Sequence, residues 1–206
     1  MILPRLWLIT DPQHPRGTIW PIAEALRAAD KTVGVQLRAK SASTNDLLKW
    51  ALDLRELTEA KRLPFFVNGR VDVALASSAD GVHLGERGLL PTDVRKQWGK
   101  RLSIGVSRHD ATGIAPSAIQ ETDFVFVSPV FQTPNKNAPL GIKGFETLAR
   151  ECDRPIYALG GVQLDSVDLL LKAGAYGVAI IRPIMLADQP AKVMSTWLEA
   201  LHRPQI

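Results

Sequence analysis

The sequence predicts a single (β/α)8 barrel, a TIM barrel, over residues 1–206. Three observations predict it. Eight short apolar runs recur along the chain, rich in β-branched and aromatic residues, and they read as strands buried on both faces of a parallel sheet. Turn residues and helical patterns separate them, and strict alternation of that number favours a closed barrel over an open doubly wound sheet. No Gly-x-Gly-x-x-Gly follows the first run, as a dinucleotide-binding open sheet would need.

The first run, Leu6–Thr10, lies in an apolar N-terminus too short for a signal sequence and reads as strand. The second is Val33–Leu37. A helix over Asn45–Arg62 follows, with Leu47, Leu48, Ala51, Leu54 and Leu57 along one face and Ser43 or Thr44 as cap. The third and fourth runs are Pro64–Val67 and Gly81–Leu84, after which Pro91-Thr-Asp-Val opens a helix. Leu102–Val106 and Phe124–Val127 are the fifth and sixth. The sixth leads into a long Pro- and Gly-punctuated loop, with a helix expected from about Phe145. Ile156–Leu159 is the seventh, and Ala173-Gly174 stops the helix after it. Gly177–Ile181 is the eighth. A terminal helix carries Val193, Trp197, Leu198 and Leu201 on one face, with Asp188 as its expected cap and Pro190 in its first turn.

Composition bounds the function. Hydrophobic residues make up 46% and charged residues 22%, ordinary for a globular protein. The lone Cys152 forms no internal disulfide, which fits a reducing, cytoplasmic setting. No apolar run approaches the roughly 20 residues that span a bilayer, so no membrane partner is expected. The net charge of +4 is scattered over the chain, without basic runs interleaved with aromatics. That argues against nucleic acid and for anionic metabolites.

In a barrel, chemistry gathers where the strands end. Gly160-Gly161 and Gly177-Val-Ala-Ile-Ile181-Arg182 each read as a strand entering a tight turn and then a helix. Side by side after strands seven and eight, such turns make a nest of free N–H groups suited to a phosphate. Gln36, Arg38 and Lys40 fall on one side of the second strand's end, placing two cations near that nest. Asn68 ends the third strand, where it can bond a ligand or close a turn. His83, between apolar neighbours, reads as a core or supporting group. Ser107 and His109 close the fifth strand; His109 is the best general acid/base by its ordinary pKa. The loop after the sixth strand carries Thr133 and Lys136, the latter able to reach a phosphate. No His, Cys or carboxylate pair at metal-ligand spacing lies near His83.

These residues together resemble the thiamine-phosphate synthase and TenI family. The likeness covers nearly the whole chain. It rests on Leu8-Ile-Thr-Asp11, Gln36-Leu-Arg38-x-Lys40, Asp80-Gly-Val-His-Leu-Gly85, Gly105-Val-Ser-x-His109, Ser128-Pro-Val-Phe-x-Thr133 with Lys136, and Ala158-Leu-Gly160-Gly161. The resemblance implies the same barrel, a phosphorylated thiazole substrate held by Gly160, Gly161, Ile181 and Arg182, and a homo-oligomer. In the synthase branch a pyrimidine pyrophosphate loses pyrophosphate and the thiazole nitrogen captures the pyrimidine cation. There Mg²⁺, held by two aspartates, steadies the leaving group. The two aspartate positions correspond to Gly69 and Gly88 here; Glu86 is displaced from them and Arg87 repels a cation.

Asn68-Gly69-Arg70 resembles the TenI branch, which implies a thiazole tautomerase using His109 for proton transfer, without metal or other cofactor. The expectation is therefore a tautomerase. A thiamine-phosphate synthase, the one case in which Mg²⁺ is expected, is the alternative. A non-catalytic binder of thiazole or thiamine phosphate is a further one.

Overall fold

Strand and helix alternate throughout the computed structural model, which describes residues 2–11, 17, 19–134 and 138–203. The strands are β1 (Leu6–Ile9), β2 (Val33–Leu37), β3 (Phe65–Asn68), β4 (Gly81–Leu84), β5 (Ser103–Arg108), β6 (Phe124–Val127), β7 (Ile156–Leu159) and β8 (Gly177–Ile180). All neighbours pair in parallel in chain order, and β8 closes onto β1 through Leu6↔Val178 and Leu8↔Ile180. The helices are α1 (Ile19–Leu26), α2 (Thr44–Glu59), α3 (Val71–Ala76), α4 (Pro91–Trp98), α5 (Ala111–Ile114), α6 (Pro116–Ile119), α7 (Gly141–Glu151), α8 (Val167–Lys172), α9 (Arg182–Met185) and α10 (Pro190–His202).

Two cores follow from the period-two alternation of the strands. Outward residues such as Leu6, Leu8, Val33, Val35, Val67 and Val178 join the helices in one layer. Inward residues Trp7, Ile9, Phe66, Phe124, Phe126, Tyr157 and Ala179 fill the barrel. Trp7 sits at the centre, edge-on to Phe66 at 4.8 Å and stacked on Phe124 at 5.3 Å. The rings fit because glycine faces them: a Cβ on Gly105 would come within 2.3 Å of the Phe124 ring. Below Trp7, Leu3 and Pro4 cross the floor, held by Tyr157 Oη donating to the Pro4 carbonyl at 2.6 Å and Tyr176 Oη to that of Leu3 at 3.2 Å.

One device sets two strand starts. Asp80 accepts the Phe65 N–H at 2.8 Å and the Arg55 guanidinium at 2.9 Å. Asp123 repeats it with the Ile104 N–H at 2.6 Å and Arg95 at 3.2 Å. Each carboxylate replaces a missing ladder partner where two strands enter the sheet.

Local details depart from expectation in two places. Ser43 caps α2 as expected, accepting from Asp46 N at 3.1 Å. For α10, however, the cap position falls to Gln189 with no side-chain bond, not to Asp188. Helix α7 begins at Gly141, four residues before Phe145, because the left-handed Gly141 (φ 67°) turns the chain straight into the helix.

Candidate functional site

At the C-terminal mouth the sheet ends in two different halves. Over β7 and β8, Gly160 and Gly161 take consecutive left-handed conformations, φ 91° and 67°. A side chain is excluded there on space alone: a Cβ on Gly161 would lie 2.7 Å from the Gln132 carbonyl and one on Gly160 2.9 Å from Pro129. The chain after β6 thus presses against the turn, anchored by Phe131 N donating to the Gly160 carbonyl at 2.9 Å. Among the described residues the N–H groups of Gly161 and Val162 find no backbone acceptor, as a nest for an anion requires.

This nest opens into a cavity of about 1130 Å³. Arg38, Lys40, Thr133, Gly160, Gly161, Ile181 and Arg182 line it, so seven of the expected site residues come together. The backbone of Arg38 is fixed by Thr10, whose Oγ1 accepts from Arg38 N at 2.8 Å and donates to the Arg38 carbonyl at 3.2 Å. That brace leaves the guanidinium pointing onward without a partner among the described residues, and the Arg182 guanidinium is equally unengaged. Asp11, Gln132 and Gln163 also line the cavity. Sequence reasoning did not select them, though Asp11 and Gln132 lie within motifs already singled out. Lys136 lies outside the described residues.

The other half is a polar wall inside β2 to β5. Gln36 Nε2 donates to Asn68 Oδ1 at 3.3 Å, and His83 Nε2 meets Ser107 Oγ at 2.8 Å. Gln36 Oε1 and His83 Nδ1 are buried and unpartnered. Burial, then the charges of Arg108 and Arg38, push the His83 pKa down to about 3, so its imidazole is neutral. Arg108 itself is structural, donating to the carbonyls of Gly113 at 2.9 Å, Ser107 at 2.8 Å and Ala118 at 3.1 Å. Burial lowers its pKa, and Glu86 counteracts this.

His109 follows the end of β5, next to Arg108. It is not among the residues that line the cavity. Its Nδ1 bonds the Ser128 carbonyl, and its Nε2 lies 3.8 Å from Glu86 on a rim where the ring is 36% exposed. Asp110 caps the following helix, accepting from Gly113 N at 2.9 Å.

The donor set does not suit a divalent cation. Gly69 and Gly88 bring no oxygen ligand, the Asn68 oxygen already accepts from Gln36, and Glu86 faces His109 and the charge of Arg108. Among the described residues no group of three His, Cys, Asp or Glu side chains converges as a metal site. Mg²⁺ requires hard oxygen ligands, commonly carboxylates alongside substrate phosphates.

Comparison with known proteins sharpens the picture. The sequence profile of the thiamine monophosphate synthase family matches residues 6–184. A thiamine-phosphate synthase of Chloroflexus aurantiacus is 36% identical over 89% of this chain and 86% of its own length. One of Gloeobacter violaceus is 37% identical over 97% of this chain, which spans only 58% of that relative's length. The solved thiamine phosphate pyrophosphorylase of Pyrococcus furiosus superposes with a TM-score of 0.87 at 28% identity, covering 96% of this chain and 95% of that one. These relatives overturn the tautomerase expectation. It rested on glycine at two carboxylate positions with the phosphate nest and His109 retained, a local pattern within a chain whose likeness to synthases runs nearly end to end.

Proposed function

The chain belongs to the thiamine monophosphate synthase family, and from that premise we propose that it is a thiamine-phosphate synthase, a transferase joining a pyrimidine pyrophosphate to a thiazole phosphate. The observation that carries the reading is that the strand-2 cations Arg38 and Lys40 and the Gly160–Gly161 nest with Arg182 line one cavity. Two anionic groups must be held at once in this reaction, and two cationic holders face one space.

The nest takes the thiazole phosphate through backbone N–H groups, with Thr133, Ile181 and the Arg182 guanidinium closing around it. Arg38 and Lys40 meet the pyrophosphate. The polar wall receives the pyrimidine ring: Gln36 Oε1 is a buried acceptor awaiting a donor, Asn68 bonds its amide nitrogen, and Ser107 bonds His83 further along the wall. The carbon–oxygen bond to pyrophosphate breaks with its electron pair leaving on oxygen. The thiazole nitrogen lone pair then forms the new carbon–nitrogen bond. No proton transfer at the reacting carbon is needed, so His109 has no step to perform and serves the rim.

The test is product formation by the purified chain from the two substrates, followed by thiamine phosphate appearance and pyrophosphate release. Stoichiometric appearance of both is expected. Binding of thiazole phosphate without turnover would refute the reading in favour of a non-catalytic binder.

A further inference from the structure

We propose that this chain expels pyrophosphate without a bound divalent cation, the charge of the leaving group being met by the fixed cation Arg38 with Lys40 beside it. The inference rests on the synthase reading above. It grows out of the mismatch between the metal that reading implies and the residues present.

The mismatch is local and consistent. Where β3 and β4 end, the side-chain oxygens are one amide already engaged with Gln36 and one carboxylate, Glu86, which lies 3.8 Å from the His109 imidazole. Gly69 has φ 72° and open space around its Cβ position, so no neighbouring side chain has moved in to replace a lost ligand. Two guanidinium groups, Arg108 and Arg38, act on the His83 ring in this half, and Glu86 is the one carboxylate acting on Arg108. A divalent cation entering here meets like charge and few ligands, whereas an anion meets the opposite.

Arg38 has the placement that such a task needs. Both its backbone polar groups are locked to Thr10, so the side chain starts from a fixed point at the cavity wall. A guanidinium stays protonated throughout the working pH range and presents a rigid fork of donors to phosphate oxygens. A charge placed before the reaction needs no reorganisation as the carbon–oxygen bond breaks. The bond exchange is balanced without metal: the pyrophosphate oxygen takes the electron pair of the broken bond, the thiazole nitrogen supplies the pair for the new one, and nothing is oxidised or reduced.

The experiment compares synthesis by the purified chain in EDTA and in Mg²⁺, and follows inorganic pyrophosphate binding in EDTA by calorimetry. A rate in EDTA within about tenfold of the Mg²⁺ rate is expected, and a larger loss that Mg²⁺ restores overturns the proposal while the synthase reading stands. Product under neither condition sinks the synthase reading and the proposal with it. In calorimetry, pyrophosphate binds in EDTA, about tenfold or more weakly to Arg38→Gln, with part of the affinity returned by Arg38→Lys. Binding that requires Mg²⁺, or that Arg38→Gln leaves unchanged, also overturns it.

Discussion

His83 Nε2 and Ser107 Oγ lie 2.8 Å apart across the adjacent strands β4 and β5, a bond made wholly within the inner wall of the mouth. Among the described residues it is the only hydrogen bond of a ring that is 1% exposed and whose other nitrogen is already unpaired. Ser107→Ala leaves both ring nitrogens buried without a partner. The expected cost is about 1–3 kcal/mol of stability, read from urea denaturation midpoints.

Stability depends on pH through the same ring. In the fold its pKa sits near 3 because of burial first and then Arg108 and Arg38. In the unfolded chain it returns to about 6.5. Between these values the unfolded state binds more protons, so this contribution is complete above pH 6.5 and is lost as pH falls toward 3. The slope is at most about 1.4 kcal/mol per pH unit. Urea melts at pH 7.5, 6 and 5 check it, and His83→Gln removes that part of the slope.

Gly161→Ala places a Cβ 2.7 Å from the Gln132 carbonyl at φ 67°. The turn must shift, and the nest with it. A loss of about 1–3 kcal/mol in stability is expected. Thiazole phosphate affinity falls by about tenfold or more as donors lose their aim, measured by calorimetry.

His109→Gln distinguishes bond exchange from proton transfer. Since His109 is tied to the Ser128 carbonyl on the rim, the synthase rate is expected to stay within about threefold of the parent. A loss of about a hundredfold or more in kcat, with KM unchanged, would contradict its placement outside the chemistry.

Phe124→Ala empties the middle of the barrel, where that ring touches Trp7, Phe66, Phe126 and Tyr157. The expected loss is about 3–5 kcal/mol, by chemical denaturation.

The barrel was legible because strands buried on both faces leave plain apolar runs. The starts of Val33–Leu37, Gly81–Leu84, Phe124–Val127 and Ile156–Leu159 coincide with those in the structure. Arg38, Lys40, Thr133, Gly160, Gly161, Ile181 and Arg182 were selected because strand ends share one rim, and they meet in one cavity. Direction was harder. Strand β5 runs on to Arg108, two residues beyond its apolar run, and the chain then turns His109 toward Ser128. Nothing in residue order reveals that Gln36 would reach Asn68, 32 positions away. The tautomerase expectation failed for a related reason: two glycines say which atoms are missing from a site, but not what reaction the remaining charges perform.

Leu3 and Pro4 lie beneath Trp7, and the rings of Phe66, Phe124, Phe126 and Tyr157 pack the space around it, so the barrel is a plug and not a passage. The tyrosine hydroxyls that pin Leu3 and Pro4 hold that plug from below, which leaves the strand ends at the opposite rim free to vary in sequence without loosening the ring that carries them.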